Sequence, residues 1–170
     1  CWSQLGMGTA AVGEIPYDEV LMHGYALMPD GRGMSKSKGI TVEPREAIEE
    51  GGADPMRAFL LAQNPQGEDM RFSWDGMDSM GRNLNILWNV FRFPLPYMRV
   101  DGYSPEEATV GDVDLEQIDE WVLSRLQTVE SEMTAHFEDR RQDRAIQALM
   151  DFVVEDVSRF YVQAVRDRVW

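Results

Sequence analysis

At 170 residues and 44% hydrophobic content, the chain can bury a real core as one ordinary domain or parts of two. Its net charge of −14 argues against general affinity for nucleic acid, whose phosphates repel such a surface, while leaving room for a local basic site. One cysteine and two histidines argue against a disulfide framework, a cysteine zinc site or a histidine metal cluster, and no apolar run approaches the roughly 20 residues of a membrane span.

No signal peptide is visible, so the expectation is a soluble cytoplasmic protein. Uniform acidity with only two lysines among sixteen basic residues fits a protein that stays soluble at high salt, where screening reduces self-repulsion. The chain opens on Cys1-Trp2-Ser3 and stops at Trp170 within a helical pattern, and both ends read as cut from something longer.

In chain order, residues 1–11 read as the end of a helix and Glu14–Tyr17 as a loop. Val20–Met28 is an apolar run that predicts a buried strand, interrupted by His23-Gly24. A Gly/Ser/Lys loop follows. Pro44 starts a short helix that Gly51-Gly52 ends. Asp54-Pro55 starts another, with Asp54 able to cap it, running to about Gln63. After Ser73, Met77, Met80, Leu84, Leu87 and Phe91 recur at helical steps on one face, and the Met and Trp residues of this stretch are expected in the core. Pro94 and Pro96 stop that helix.

The polar stretch Asp101–Asp114 reads as a linker between unlike halves. Residues 1–100 carry nine basic and thirteen acidic side chains, net −4, and residues 101–170 carry seven and seventeen, net −10. The second half is helical. Ile118, Val122, Leu126, Val129 and Met133 form one stripe. Ala145, Leu149, Phe152, Val153, Phe160 and Ala164 form another, with Asp156 as its polar member. Two antiparallel helices joined near His136–Asp143 would bury the stripes together.

Both lysines, Lys36 and Lys38, fall in Asp30–Gly39, DGRGMSKSKG. Gly31, Gly33 and Gly39 let the backbone approach a ligand closely, Ser35 and Ser37 supply hydroxyls, and the ammonium groups supply mobile donors. Such a loop suits a polyphosphate, although it lacks Walker spacing. Lysine suits a charge that must follow a moving phosphate, where arginine suits a fixed clamp. A solvated basic loop is the plain alternative.

Met34-Ser35-Lys36-Ser37, preceded by His23-Gly24 and Asp30-Gly31, resembles the KMSKS loop of class I aminoacyl-tRNA synthetases. Gly33 stands where that motif has its first lysine, with Arg32 just before it, so Arg32 or Lys38 is the candidate to replace that charge. Further stretches resemble the same family in its order. They are Gly52–Arg57, GADPMR; Gly67–Ser73, GEDMRFS, as in the Ile, Val and Leu subgroup; and Asn85–Phe93, NILWNVFRF. Asp151–Trp170 resembles the anticodon-binding domain of the isoleucyl members.

The resemblance implies an α/β then all-α fold: the second half of a Rossmann-like nucleotide-binding domain over 1–100, the 101–114 linker, and the start of a helical anticodon-binding bundle over 115–170. It implies a monomeric ligase using ATP with Mg2+, isoleucine and tRNA(Ile), with no metal held by this segment and no membrane partner. Lys36 would be catalytic, and His23, Gly24, Met34, Ser35 and Ser37 would line the ATP site, His23 and Gly24 on the adenine side. A merely structural histidine is the rival reading of His23. Arg159, Arg166 and Arg168 could meet tRNA, or form a solvated, ion-paired face. Arg57 and Arg71 are expected to pair with carboxylates. No His-Ile-Gly-His-type element occurs in the sequence, so this stretch alone is expected to be inactive. A valyl or leucyl enzyme, and a non-catalytic helical interaction module with a basic loop, remain open.

Overall fold

The computed structural model describes residues 2–169 apart from 105–108. These residues are mostly helical, with one small parallel sheet. Helix α1 spans Trp2–Val12. Strand β1 is Ala26–Leu27 and β2 is Met70–Arg71. They pair in parallel, Ala26 with Met70 and Leu27 with Arg71. Parallel strands need a long crossover. Here it contains α2, Pro44–Gly51, and α3, Ala53–Ala62.

The predicted buried strand over Val20–Met28 is not formed. Only two of its residues pair, and Val20, Leu21, Met22 and Tyr25 are exposed. A strand needs hydrogen-bonded neighbours and walls on its faces, and among the described residues β1 has β2, two residues long, and a single bridge from Leu27 to Gly33. The predicted cap of α3 is also corrected. Helical geometry begins one residue earlier, so Asp54 lies inside the first turn, where it pairs with Arg57 at 3.4 Å.

Helix α4, Trp74–Arg92, starts as expected at Ser73, whose Oγ accepts from Gly76 N at 3.1 Å. It serves two cores. Met77 is buried with Ala47, Phe59 and Phe72, and Met80 packs on this cluster. Phe72 meets Phe59 and Trp74 edge to face, at 5.7 and 5.0 Å. One turn and a half on, Ile86 and Leu87 pack against the second core of Val129, Phe152 and Val153.

Ile86 stands roughly half a turn round the helix from Met77. The second core thus takes Ile86 from a new face together with Leu87 from the original stripe, while Leu84 lines a groove with Ile146 and Leu149. Trp88 and Phe91, expected inside, belong to neither core and are 61% and 64% exposed. Pro94 caps the next helix, α5, Leu95–Asp101. The centre of the proposed linker, 105–108, lies outside the described residues.

Helix α6, Gln117–Glu138, and α7, Gln142–Asp151, form the expected antiparallel pair. The latter continues through a π-helical stretch, Phe152–Tyr161, into α8, Val162–Val169. Val122, Val129 and Met133 of the first stripe join the core, but Leu126 and Phe160 stay exposed. Asp156 is explained by Arg125, whose Nε donates to it at 3.0 Å.

The halves also meet through polar contacts at the α6–α7 corner. Arg140, left-handed at φ 59°, pairs with Glu19, and Gln66 Nε2 donates to Gln142 Oε1 at 2.6 Å. No helix among the described residues is long and apolar enough to cross a membrane.

Candidate functional site

The lysine loop grows out of the carboxyl end of β1. Gly31 N donates to Met28 O and Met28 N to Arg32 O, both at 2.8 Å, which turns the chain. Gly33 then bridges back to Leu27. Met34 points into the first core, and Val42, on the far side of the loop, packs there too. Between these anchors Ser35 N donates to Ile40 O at 2.6 Å and Ile40 N to Ser35 O at 3.1 Å. That pair closes the loop. Lys36–Lys38 form a 3-10 turn within it, and Gly39 closes the turn at φ 66°, a conformation that a side chain disfavours.

The loop's hydroxyls and charges are thus presented together on an anchored base. Ser35 Oγ and Ser37 Oγ lie 3.2 Å apart. The Lys36 side chain is 82% exposed, with Nζ 3.5 Å from Glu43 Oε1. Lys38 is exposed with no ion-pair partner among the described residues. Arg32 is held by Asp30, its backbone N donating at 3.0 Å and its Nε at 2.7 Å. That backbone N–H, then the guanidinium, keep the Asp30 carboxyl below its ordinary value. Arg71 has no carboxylate partner among the described residues, contrary to expectation. Its guanidinium lies over Gly31, 3.4 Å from where a Cβ would stand. Chemically, the arrangement offers two exposed ammonium groups and two hydroxyls to an anion rich in oxygen.

His23 and Gly24 are placed elsewhere. They precede β1, at its amino end, and not at the end that carries the lysines. His23 is exposed, and its Nδ1 donates to Gly24 O at 2.8 Å. Gly24 passes so close to Glu68 that a Cβ would fall 2.0 Å from the Glu68 carbonyl oxygen. Asp69 Oδ1 accepts from Tyr25 N at 2.8 Å beside it. Both residues line an apolar-walled groove of about 610 Å³ between this segment, the end of α3 and Gln142. The structure therefore gathers Met34, Ser35, Lys36 and Ser37 into one loop and keeps His23 and Gly24 apart from it.

The three arginines near the end of the chain differ among themselves. Arg159 pairs with Glu155 one turn earlier, and Arg166 is exposed on α8. Arg168 is locked. Its Nη2 and Nη1 donate to Asp119 Oδ1 and Oδ2 at 2.7 and 2.9 Å, and Glu116 lies 3.2 Å away. Tyr161 OH at 2.7 Å and Glu116 N at 3.0 Å complete the donors around Asp119, which is 8% exposed. Arg168 above all, then Tyr161, hold the Asp119 carboxyl far below the ordinary carboxylate range. Burial, then the Asp119 contact, pushes the Tyr161 phenol up to about 12.

The sequence reading missed Glu43 and Asp30 as counter-ions. Asp30 had a signal, its two-residue spacing from Arg32. Glu43 had none, because it meets Lys36 only once the loop closes.

Residues 2–73 match the family model described as tRNA synthetases class I (I, L, M and V), and residues 119–170 match the anticodon-binding domain of tRNA ligase. The chain belongs to the class I tRNA synthetases. It is 64% identical to the isoleucine–tRNA ligase of Halobacterium salinarum over 99% of this chain and 17% of that one. It is 65% identical to those of Natronomonas pharaonis and Haloarcula marismortui, over 99% of this chain and 16% of each of theirs. The synthetase chain thus corresponds to a segment of isoleucine–tRNA ligase and spans 16–17% of the length of these relatives. The crystal structure of a ternary complex of Agrobacterium radiobacter LeuRS with tRNA and LeuAMS shares its fold, with a TM-score of 0.69 at 23% identity over 86% of this chain and 18% of that one.

Proposed function

We propose that the complete protein joins isoleucine to ATP, forms the aminoacyl-adenylate with release of pyrophosphate, and transfers the aminoacyl group to the terminal ribose of tRNA(Ile). In this reading residues 1–100 are the C-terminal part of the catalytic domain, built on the second half of a Rossmann-like fold. Residues 101–114 are the linker, and 115–170 begin the helical anticodon-binding bundle. The enzyme works as a cytoplasmic monomer.

The observation that carries the reading is the closed, anchored loop that presents Lys36 beyond the carboxyl end of β1. Ligands of open α/β sheets bind outside that end of the strands. The isoleucine–tRNA ligase names of the relatives support the amino acid and the tRNA.

The isoleucine carboxylate attacks the α-phosphorus in line, and the bond to pyrophosphate breaks. Lys36 meets the negative charge that builds on the departing oxygens, where a charge fixed by the protein lowers the barrier most. Ser35 and Ser37 donate to phosphate, and Lys38 or Arg32 makes up for the lysine that Gly33 replaces. Lys38 is the better placed of the two, because Arg32 is tied to Asp30. Met34 anchors the loop beside the nucleotide, while His23 and Gly24, at the amino end of β1, are given no nucleotide contact in this reading. No group of three or more His, Cys, Asp or Glu side chains is gathered for a metal ion among the described residues, and Mg2+ in this reading arrives with ATP and shares the phosphate charge. Arg159 and Arg166 are the candidates to touch tRNA, with Arg168 shaping the surface that carries them.

Lys36→Ala in the complete enzyme should slow isoleucine-dependent ATP–pyrophosphate exchange by roughly 100- to 1,000-fold, the range for a lost transition-state donor. A change under about threefold overturns the role. Exchange driven by valine or leucine in place of isoleucine overturns the substrate.

A further inference from the structure

The loop's two lysines lie two residues apart, yet among the described residues only Lys36 has a counter-ion, Glu43, with Nζ 3.5 Å from Oε1. The closed loop produces this pairing. Ser35 bonds Ile40 across the loop, and Met34 and Val42 fix its two sides to the first core. Glu43 follows Val42 directly and stands at the N-cap of α2. The helix uses the backbone of Glu43, whose carbonyl accepts from Ala47 N at 3.1 Å, but its side chain makes no capping bond. The carboxylate is therefore not occupied by the helix that positions it, and it faces the ammonium group.

We propose that Glu43 is a positioning residue for adenylate formation: it holds the Lys36 ammonium between turnovers and thereby sets the KM for ATP. The proposal rests on the reading of Lys36 given above. Carboxylate and phosphate are mutually exclusive partners for one ammonium group. Every ATP that engages Lys36 must displace Glu43, so the ion pair weakens ATP binding by its own strength. Both side chains are well exposed, 82% and 49%, so that strength is small and falls with salt. The displacement is already complete in the bound ground state, so it lowers affinity without changing the barrier from bound ATP.

The test is ATP–pyrophosphate exchange by the complete ligase carrying Glu43→Gln, Glu43→Asp, Lys36→Ala, or Glu43→Gln with Lys36→Ala. Glu43→Gln should lower the KM for ATP about two- to fivefold at the lowest salt at which the enzyme is folded, with kcat within about twofold. The shift should shrink as salt is raised. Glu43→Asp should restore the parent KM, and Glu43→Gln should have no effect once Lys36 is alanine. A lower KM is not an outcome that a damaged fold produces. If Lys36→Ala slows exchange but Glu43→Gln leaves the KM unchanged, or if its shift persists without Lys36, the proposal is overturned while the role of Lys36 stands. If Lys36→Ala is as fast as the parent, both fall.

Discussion

Lys36 and Arg168 carry the same charge in opposite settings. Lys36 stands on a short loop, its side chain 82% exposed, with one carboxylate at 3.5 Å. Arg168 is 37% exposed and donates twice to an aspartate that also accepts from Tyr161 and from a backbone N–H. Reaching a ligand requires little of the first and the breaking of a filled hydrogen-bond network by the second. A basic residue is available to phosphate according to what already holds it, and the count of positive charges along a helix says little about it. The same contrast separates the two halves. The loop is fixed by backbone pairing and two apolar anchors, so its charges stay mobile on a firm base. The helical half ties charge into its own packing.

Asp119→Ala should break this comparison most visibly. It removes the acceptor shared by Arg168, Tyr161 and Glu116 N while leaving Arg168 its contact with Glu116, and the α6–α8 region should lose roughly 1.5–3 kcal/mol, the range for hydrogen bonds to a charged group. Hydrogen exchange across α6 and α8 measures the loss, and Lys36-dependent adenylation should be spared. Gly24→Ala comes next. Its Cβ would strike the Glu68 backbone, 2.0 Å away, and overpacking of this kind costs roughly 1–3 kcal/mol. Equilibrium denaturation should detect it, and a destabilisation well under 1 kcal/mol would show that the close approach is easily relieved.

The smallest effect, absent at neutral pH, is the acid response. The folded Asp119 carboxyl sits below its unfolded value, so its contribution is present above about pH 4 and is lost as pH falls toward the folded value. Asp119→Asn should flatten that part of the stability profile. On the alkaline side the sign reverses. The Tyr161 phenol is raised to about 12, so its contribution is intact below about pH 10 and is lost between 10 and 12.

The local features of the fold were legible in the sequence because they depend on near neighbours. Pro44, Ser73 and the α6–α7 corner mark helix boundaries by the backbone groups they satisfy or lack. The lysine loop was legible too, since its composition departs from the rest of the chain. Apart from the cap of α3, which falls at Gly52 and not Asp54, the failures concern surroundings. The run at Val20–Met28 is apolar enough for a buried strand, yet only Ala26 and Leu27 find a partner. Trp88 and Phe91 keep the helical stripe's spacing, yet neither core gathers them and both stay exposed. Arg168 shares an arginine-rich stretch with Arg159 and Arg166, but its partner lies 49 residues away.

The sequence by itself determined where most helices begin and which loop carries the lysines, because capping and glycine content act over a few residues. It also determined the family, through motifs that occur in order along the chain. Tertiary structure alone decided that α4 joins two cores, that Glu43 faces Lys36, and that Arg168 is held inward by Asp119. Those outcomes depend on which distant surfaces and charges meet, and burial and ion pairing are properties of the meeting place.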